Sequence, residues 1–307
     1  RADTVERYVD YDHAAKVDEH GPREAVWHVL ADFLAAYDVA SVAVPPRFPL
    51  STADGLRSQG VTVQPDDDGV ITEVRATKTD EEIDHIKTAQ RANEAAMAAA
   101  EELLDDARVA AKGQLVHDGD RLTSERVKEE IEVTLLRHGC ALDETIVACG
   151  ADAADPHDRG SGPLEAGEPI IVDIFPQDKA SGYHADMTRT FLVGEPSETI
   201  REWFDLTDEA RQAAIEAVEP GVTGAEVHDV VCDVYEDAGL PTLRSDGSTE
   251  TGFIHTTGHG VGLAVHEQPS VSGRGGELEP GHVITIEPGL YDPDVGGVRI
   301  EDLLVVT

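Results

Sequence analysis

The sequence predicts an α+β protein, with a larger region built as two related halves and a smaller α/β segment before it. Three observations carry this. The first 75 or so residues alternate helical and strand-like stretches. The larger region repeats one unit, two helices followed by a pair of apolar strands. Each strand pair carries two acids at nearly the same separation, 13 positions from Asp173 to Asp186 and 14 from Glu287 to Glu301.

In order, residues 23–38 predict a helix, and SVAVP at 41–45 and VTVQ at 61–64 predict short strands. PDDDG at 65–69 reads as a turn or linker. Residues 1–75 are therefore expected to form a small, partial α/β domain. The chain starts at Arg1 rather than Met, so its true beginning is expected to be missing.

From Thr79 the character changes. The alanine-rich run at 80–112 predicts one long helix, capped by Thr79 or Asp80, with acids in its first turn. Residues 76–307 are expected to form the second domain.

Within it, LTSERVKEEIEVTLLRHG at 122–139 aligns with VTGAEVHDVVCDVYEDAG at 222–239. Thr123 matches Thr223, Val127 matches Val227, Ile131 matches Val231 and Gly139 matches Gly239. Both stretches have apolar residues at helical spacing and stop at glycine. Each follows another helix, 80–112 in one half and 197–218 in the other. Each precedes one acid-bearing strand pair. Two halves related by a pseudo-twofold axis are the expected arrangement.

Composition narrows the function. The net charge is -38, from 62 acidic and 24 basic side chains, and only six of the basic ones are lysine. A surface this acidic reads as adaptation to multimolar cytoplasmic salt. It argues against nucleic acid or an anionic membrane as partner. No apolar run approaches the ~20 residues of a membrane span. There is no secretory signal pattern at the start. Cys140, Cys149 and Cys232 lack CxxC spacing and read as buried, reduced thiols of a cytoplasmic protein.

The chemistry lies in three stretches. PIIVDIFPQDKASGYHADMTRT carries Asp173 and Asp186; VITIEPGLYDPDVGGVRIED carries Glu287 and Glu301. Between them HTTGHGVGLAVHE carries His255, His259 and His266. Alternation along IIVDIF puts Ile171 and Asp173 on one face. A hairpin through the following glycine-containing turn brings Asp186 back to Asp173, and a second does the same for Glu287 and Glu301. A single acid at a strand end is usually a turn residue. Four in one hollow cannot all stay ionised without cations. His259, flanked by glycines that allow close backbone approach, supplies a nitrogen ligand. Such an oxygen-dominated set suits two divalent ions, Mn²⁺ first, with Co²⁺, Fe²⁺ or Zn²⁺ as alternatives. Ions roughly 3.5–4 Å apart would share carboxylates and a water that acts as hydroxide, which is hydrolytic chemistry.

These residues resemble the metallopeptidases of the pita-bread fold: proline dipeptidase, aminopeptidase P, methionine aminopeptidase and creatinase. The resemblance covers about residues 76–307 and includes all five ligand positions in order. It implies that Asp173 and Asp186 bind one ion, that Asp186, His259, Glu287 and Glu301 bind the other, and that Asp186 and Glu301 both bridge the two. It further implies that Glu287 takes the proton of the bridging water. His266 is similar to the histidine that stabilises the tetrahedral intermediate, and His157, in DPHDRG, to the one that contacts substrate and leaving nitrogen. His255 resembles a histidine lining the proline pocket. Arg299 resembles an arginine bracing the bridging acids.

GVRIED near the end, DMTRT upstream and the extra N-terminal segment are closest to the Xaa-Pro branch. The resemblance thus implies a dimetal exopeptidase for proline-containing peptides, expected as a homodimer. The acidic composition and scarce cysteines make it an expected cytoplasmic protein of a halophilic archaeon. A methionine aminopeptidase-like hydrolase and a catalytically silent binding module are the alternatives. One departure stands out. The family has glycine two residues after the first aspartate, where this chain has Phe175 and then Pro176, and the spacing between the two aspartates is longer than usual.

Overall fold

The computed structural model describes residues 5–67 and 69–307. The chain divides into two compact units, Arg1–Glu73 and Val74–Thr307.

In the first unit, helix α1 (His13–Ala36) precedes strand β1 (Ser41–Val44), helix α2 (Leu50–Ser58) and strand β2 (Thr62–Pro65). β1 and β2 run parallel, Ser41 opposite Thr62. Ala53, Leu56, Val61 and Val63 form the small core, with Leu30 and Leu34 of α1 packed on it. The first helix starts earlier than the predicted residue 23. It is two helical pieces joined at Gly21, whose φ is 81°, and Pro22 opens the second piece. In PDDDG, Asp68 lies outside the described residues, as does Arg1. The rest of that stretch does more than turn: the Asp66 carboxylate accepts from the backbone N–H groups of Val70 and Ile71. It thereby caps helix α3 (Val70–Ala76).

The second unit opens with helix α4 (Asp80–Asp105). Thr79 caps it in a reciprocal box with Glu82. The helix stops before the predicted residue 112. Strand β3 (Arg108–Val109) instead pairs antiparallel with β4 (Leu115–His117), which pairs in turn with β5 (Asp120–Arg121). Lys112 and Gly113, both at positive φ, make the turn. The reversal brings Leu115 fully into the core, and that burial outweighs the helix preference of the alanines.

Helix α5 (Ser124–Arg137) follows, then β6 (Cys140–Ala141), β7 (Thr145–Cys149), β8 (Ile170–Ile174), β9 (Gln177–Asp178) and β10 (Met187–Phe191). β8 is central, antiparallel to both β7 and β10. Its side chains alternate as predicted. Ile170, Val172 and Ile174 join α4 and α5 in one core, while Ile171 faces Ile146 and Tyr291.

The second half repeats the plan. Helices α6 (Glu198–Ala217) and α7 (Gly224–Asp237) pack on a four-stranded sheet. That sheet contains β11 (Gly258–Gly260), β12 (Glu267–Val271) and β13 (Val283–Ile286). Beyond β13 come β14 (Gly289–Asp292), β15 (Gly296–Arg299) and β16 (Asp302–Val305), the last completing the sheet. The aligned helices correspond residue for residue. Thr123 and Thr223 cap α5 and α7 by accepting from Arg126 N and Glu226 N. Val127, Ile131, Val227 and Val231 are fully buried. Gly139 and Gly239 have φ of 81° and 80°.

Cys140 and Cys232 are buried and Cys149 is only partly so; all three are free thiols. Among the described residues no helix is long and apolar enough to cross a membrane.

Candidate metal centre

The two halves meet along β10. Glu301 N donates to Thr188 O at 3.1 Å. Thr190 Oγ1 donates to Arg299 O at 2.8 Å and accepts from Arg299 N at 3.0 Å. The β10 edge of the first half is thereby joined to residues 299–301 of the second, and the acids cluster at that seam.

Asp173 ends the inward face of β8 and Asp186 immediately precedes β10, so the first hairpin brings both to one point. The second hairpin is interrupted there. β13 pairs with β16 and β14 with β15, and Glu287 and Glu301 lie in the break between the two ladders. His259 sits in the middle of β11, between β12 and β13. The flanking glycines are required. A Cβ on Gly258 would lie 2.0 Å from Thr285 O, and one on Gly260 2.2 Å from Gln268 O.

The nitrogen His259 Nε2 is 3.7 Å from Asp186 Oδ2 and 3.6 Å from Glu287 Oε1. Its Nδ1 faces Gly260 O at 3.2 Å, which leaves the Nε2 lone pair aimed at the acids. Burial lowers the His259 pKa, favouring the neutral imidazole that a metal needs. Burial, then Glu301 and Asp173, push Asp186 well above the carboxylate range. Burial, then Glu287 and Asp173, do the same to Glu301. Burial raises Glu287 to about 7.

The cation built into this cluster is Arg299, only 3% exposed. It donates to Asp173 Oδ2 from Nη2 at 2.8 Å and to the Tyr291 hydroxyl from Nη1 at 2.9 Å. Burial works against its charge, but Tyr291, Asp173 and Glu287 hold its pKa well above normal. One guanidinium faces four acids. Asp173 Oδ1 and Glu301 Oε1 are buried without any hydrogen-bond partner among the described residues. Ligand atoms of Asp186, His259 and Glu301 all lie within 4.8 Å of one another. Uncompensated buried oxygens, a neutral imidazole and excess negative charge fit divalent cations.

The same five residues line a cavity of about 500 Å³ together with His157, His255, His266, Phe175 and Arg299. The sequence-predicted residues are thus all brought together. His157 is exposed, on a loop braced by its own N–H to Asp155 Oδ1 at 2.9 Å. The His266 ring stands 4.2 Å from that of His259 at 62°. Burial, then His259, lower its pKa. His255 has both nitrogens engaged, Nδ1 to Thr256 O at 2.7 Å and Nε2 to the Tyr291 hydroxyl at 2.9 Å. It therefore offers the cavity a ring surface rather than a free nitrogen. Arg299, Tyr291 and His255 form one chain of hydrogen bonds.

Two supporting residues escaped the sequence reading. Thr188 donates to Glu301 Oε2 at 2.8 Å and accepts from Arg299 Nε at 3.3 Å. Counting by twos from Asp186 along DMTRT would have put it on the acid face. Tyr291 had no comparable signal, because its role depends on Arg299 and His255 meeting in space.

Fold and site together define a carboxylate–histidine metal protein of pita-bread architecture. Residues 84–307 match the Metallopeptidase family M24, and the chain belongs to that family. It is 35% identical over 245 residues to the Xaa-Pro dipeptidase of Pyrococcus furiosus, covering 78% of this chain and 63% of that protein. It is 42% identical over 164 residues to the probable dipeptidase PepE of Mycobacterium tuberculosis, covering 53% and 41%. The chain therefore spans less than two thirds of the length of these curated relatives. Among solved structures, the Xaa-Pro dipeptidase from Bacillus anthracis superposes with a TM-score of 0.77 at 30% identity, covering 91% of this chain and 73% of that one.

Proposed function

We propose that this protein is a dimetal exopeptidase that hydrolyses the bond before proline in Xaa-Pro peptides. The observation that carries the reading is the set of two buried, unpartnered carboxylate oxygens, on Asp173 and Glu301, facing Asp186, Glu287 and His259. The naming of the relatives as Xaa-Pro dipeptidases supports the substrate class.

Asp173, Asp186 and Glu301 would hold one ion and Asp186, His259, Glu287 and Glu301 the other, with Mn²⁺ the best fit to the oxygen-rich set. When bound, such a pair polarises a carbonyl and lowers the pKa of water toward neutrality. The protein's own groups then divide the work. Glu287 accepts the proton of the attacking water. His266, neutral because burial lowers its pKa, donates to the oxygen that gains charge. His157 meets the leaving nitrogen from its exposed loop. The ring of His255, held by Tyr291, forms a wall for the proline. Arg299 holds the Asp173 carboxylate in orientation through their buried hydrogen bond.

The acidic surface supports a salt-rich cytoplasm as the working environment, and a homodimer is the assembly proposed. A substrate panel tests the reading: Ala-Pro, Ala-Pro-Ala and Met-Ala, each with Mn²⁺, Co²⁺ and Zn²⁺ in high KCl. Cleavage before proline is the expected result. Cleavage of Met-Ala alone would replace it with a methionine aminopeptidase-like activity, and no cleavage with bound metal absent would point to a silent module. Full activity and stability without salt would overturn the halophile assignment.

A further inference from the structure

Glu267 follows His266 directly, yet its side chain turns back beneath the loop that carries that histidine. Residues 261–266 form neither helix nor strand, so their conformation must be held from outside. Glu267 does part of this. Its Oε2 accepts from Ala264 N at 3.3 Å. A Cβ on Gly262 would lie 2.2 Å from Glu267 Oε1, so glycine is what lets the carboxylate lie against the loop.

That carboxylate is fixed from the far side by two cations at the start of the second unit. Lys78 Nζ is 2.9 Å from Glu267 Oε1, and the two side chains are only 1% and 8% exposed. Arg75 Nη2 donates to Glu267 Oε2. Lys78 is itself anchored, with Nζ donating to Ala76 O at 3.0 Å and its backbone N–H to Gly281 O at 2.9 Å. One residue later Thr79 caps α4, and Glu82 of that cap accepts from the Tyr183 hydroxyl at 2.6 Å. The neighbouring His184 N donates to Gly262 O at 2.8 Å. The segment Arg75–Glu82 thus ties down both the His266 loop and the turn that precedes Asp186.

We propose that Lys78 and Arg75 are positioning residues for His266, acting through Glu267. The proposal rests on the reading of His266 as the group that meets the developing charge. A buried ion pair whose partner is removed leaves an uncompensated charge. Without Lys78, Glu267 would swing toward water and release Ala264 N and the loop, and the His266 ring would lose its place beside His259.

The test uses the full chain loaded with Mn²⁺, with Lys78→Met, Arg75→Gln and Glu267→Gln, each alone and combined with His266→Ala. With Ala-Pro as substrate, Lys78→Met is expected to lower kcat roughly 10- to 100-fold with KM changed less than about threefold, as for a displaced transition-state group. In the His266→Ala background the same change should cost less than about threefold, because residues acting as a unit are not additive. Hydrogen exchange should quicken at least about tenfold in residues 261–267 and stay unchanged in β8. Unaltered kcat, losses that multiply with His266→Ala, or unaltered loop exchange would each overturn the proposal. Should Lys78→Met fail to fold by circular dichroism, Arg75→Gln, at the more exposed end of the cluster, decides by the same criteria with a smaller drop. If the wild type hydrolyses no Xaa-Pro peptide, the functional reading fails, and loop exchange alone decides the positioning.

Discussion

The metal-free protein should lose stability as pH rises through neutrality, and Glu287→Gln should abolish much of that loss. In the folded chain burial raises Glu287 from 4.5 to about 7. Asp186 and Glu301 move the same way. A carboxyl raised on folding binds more protons folded than unfolded between those two values. Its stability contribution is therefore complete below about pH 4.5 and is lost as pH climbs through about 7. A rise of this size corresponds to about 3 kcal/mol for Glu287. The surface carboxylates finish titrating below about pH 5, so they do not mimic the effect near neutrality. The assay is urea or thermal unfolding of chelator-treated protein in fixed KCl from pH 5 to 8. Glu287→Gln should raise the pH 8 Tm by roughly 6–12 °C in a unit of this size. Added Mn²⁺ should cancel the fall in the wild type, since it binds the ionised folded form. Buried histidines whose pKa is lowered act with the opposite sign below about pH 6.5, so the comparison decides: the same pH slope in wild type and Glu287→Gln would refute the view that these acids are an uncompensated buried cluster.

Other consequences follow from the same geometry. Arg299→Met should cost about 3–5 kcal/mol in urea unfolding, because it leaves Asp173 and the Tyr291 hydroxyl without their buried donor. Gly258→Ala should reduce metal content, read by elemental analysis, because its Cβ would strike Thr285 O at 2.0 Å and displace the strand that carries His259. Thr188→Val should weaken Mn²⁺ binding by about 10- to 100-fold in calorimetry, by freeing the Glu301 carboxylate it orients. Retained affinity would mean that the ion alone orders that acid.

Much of this was legible because the duplication writes itself into the sequence. Thr123 and Thr223 announce their helices, and the acids recur after each pair of helices. Alternation along IIVDIF correctly set Asp173 with Ile171 against the seam. Local signals failed where tertiary burial won. Alanines 110–111 look helical, but Leu115 is drawn into the core and the chain turns back. Gly21 and Pro22 split α1 without ending it, so the helix began earlier than its apolar pattern indicated. Tyr291, Lys78 and Glu267 were invisible as site residues because their roles depend on partners far apart in the chain. Phe175 was conspicuous in sequence as a departure, and the structure puts it on the cavity wall.

The most direct measurement is Ala-Pro hydrolysis as Mn²⁺ is titrated into chelator-treated protein in high KCl, wild type beside Asp186→Ala. No activity is expected without metal, with saturation at two ions per chain, and the Asp186→Ala protein should bind fewer ions and stay inactive. Activity that survives chelation, or an Asp186→Ala protein with full metal content and full rate, would contradict the two-metal reading.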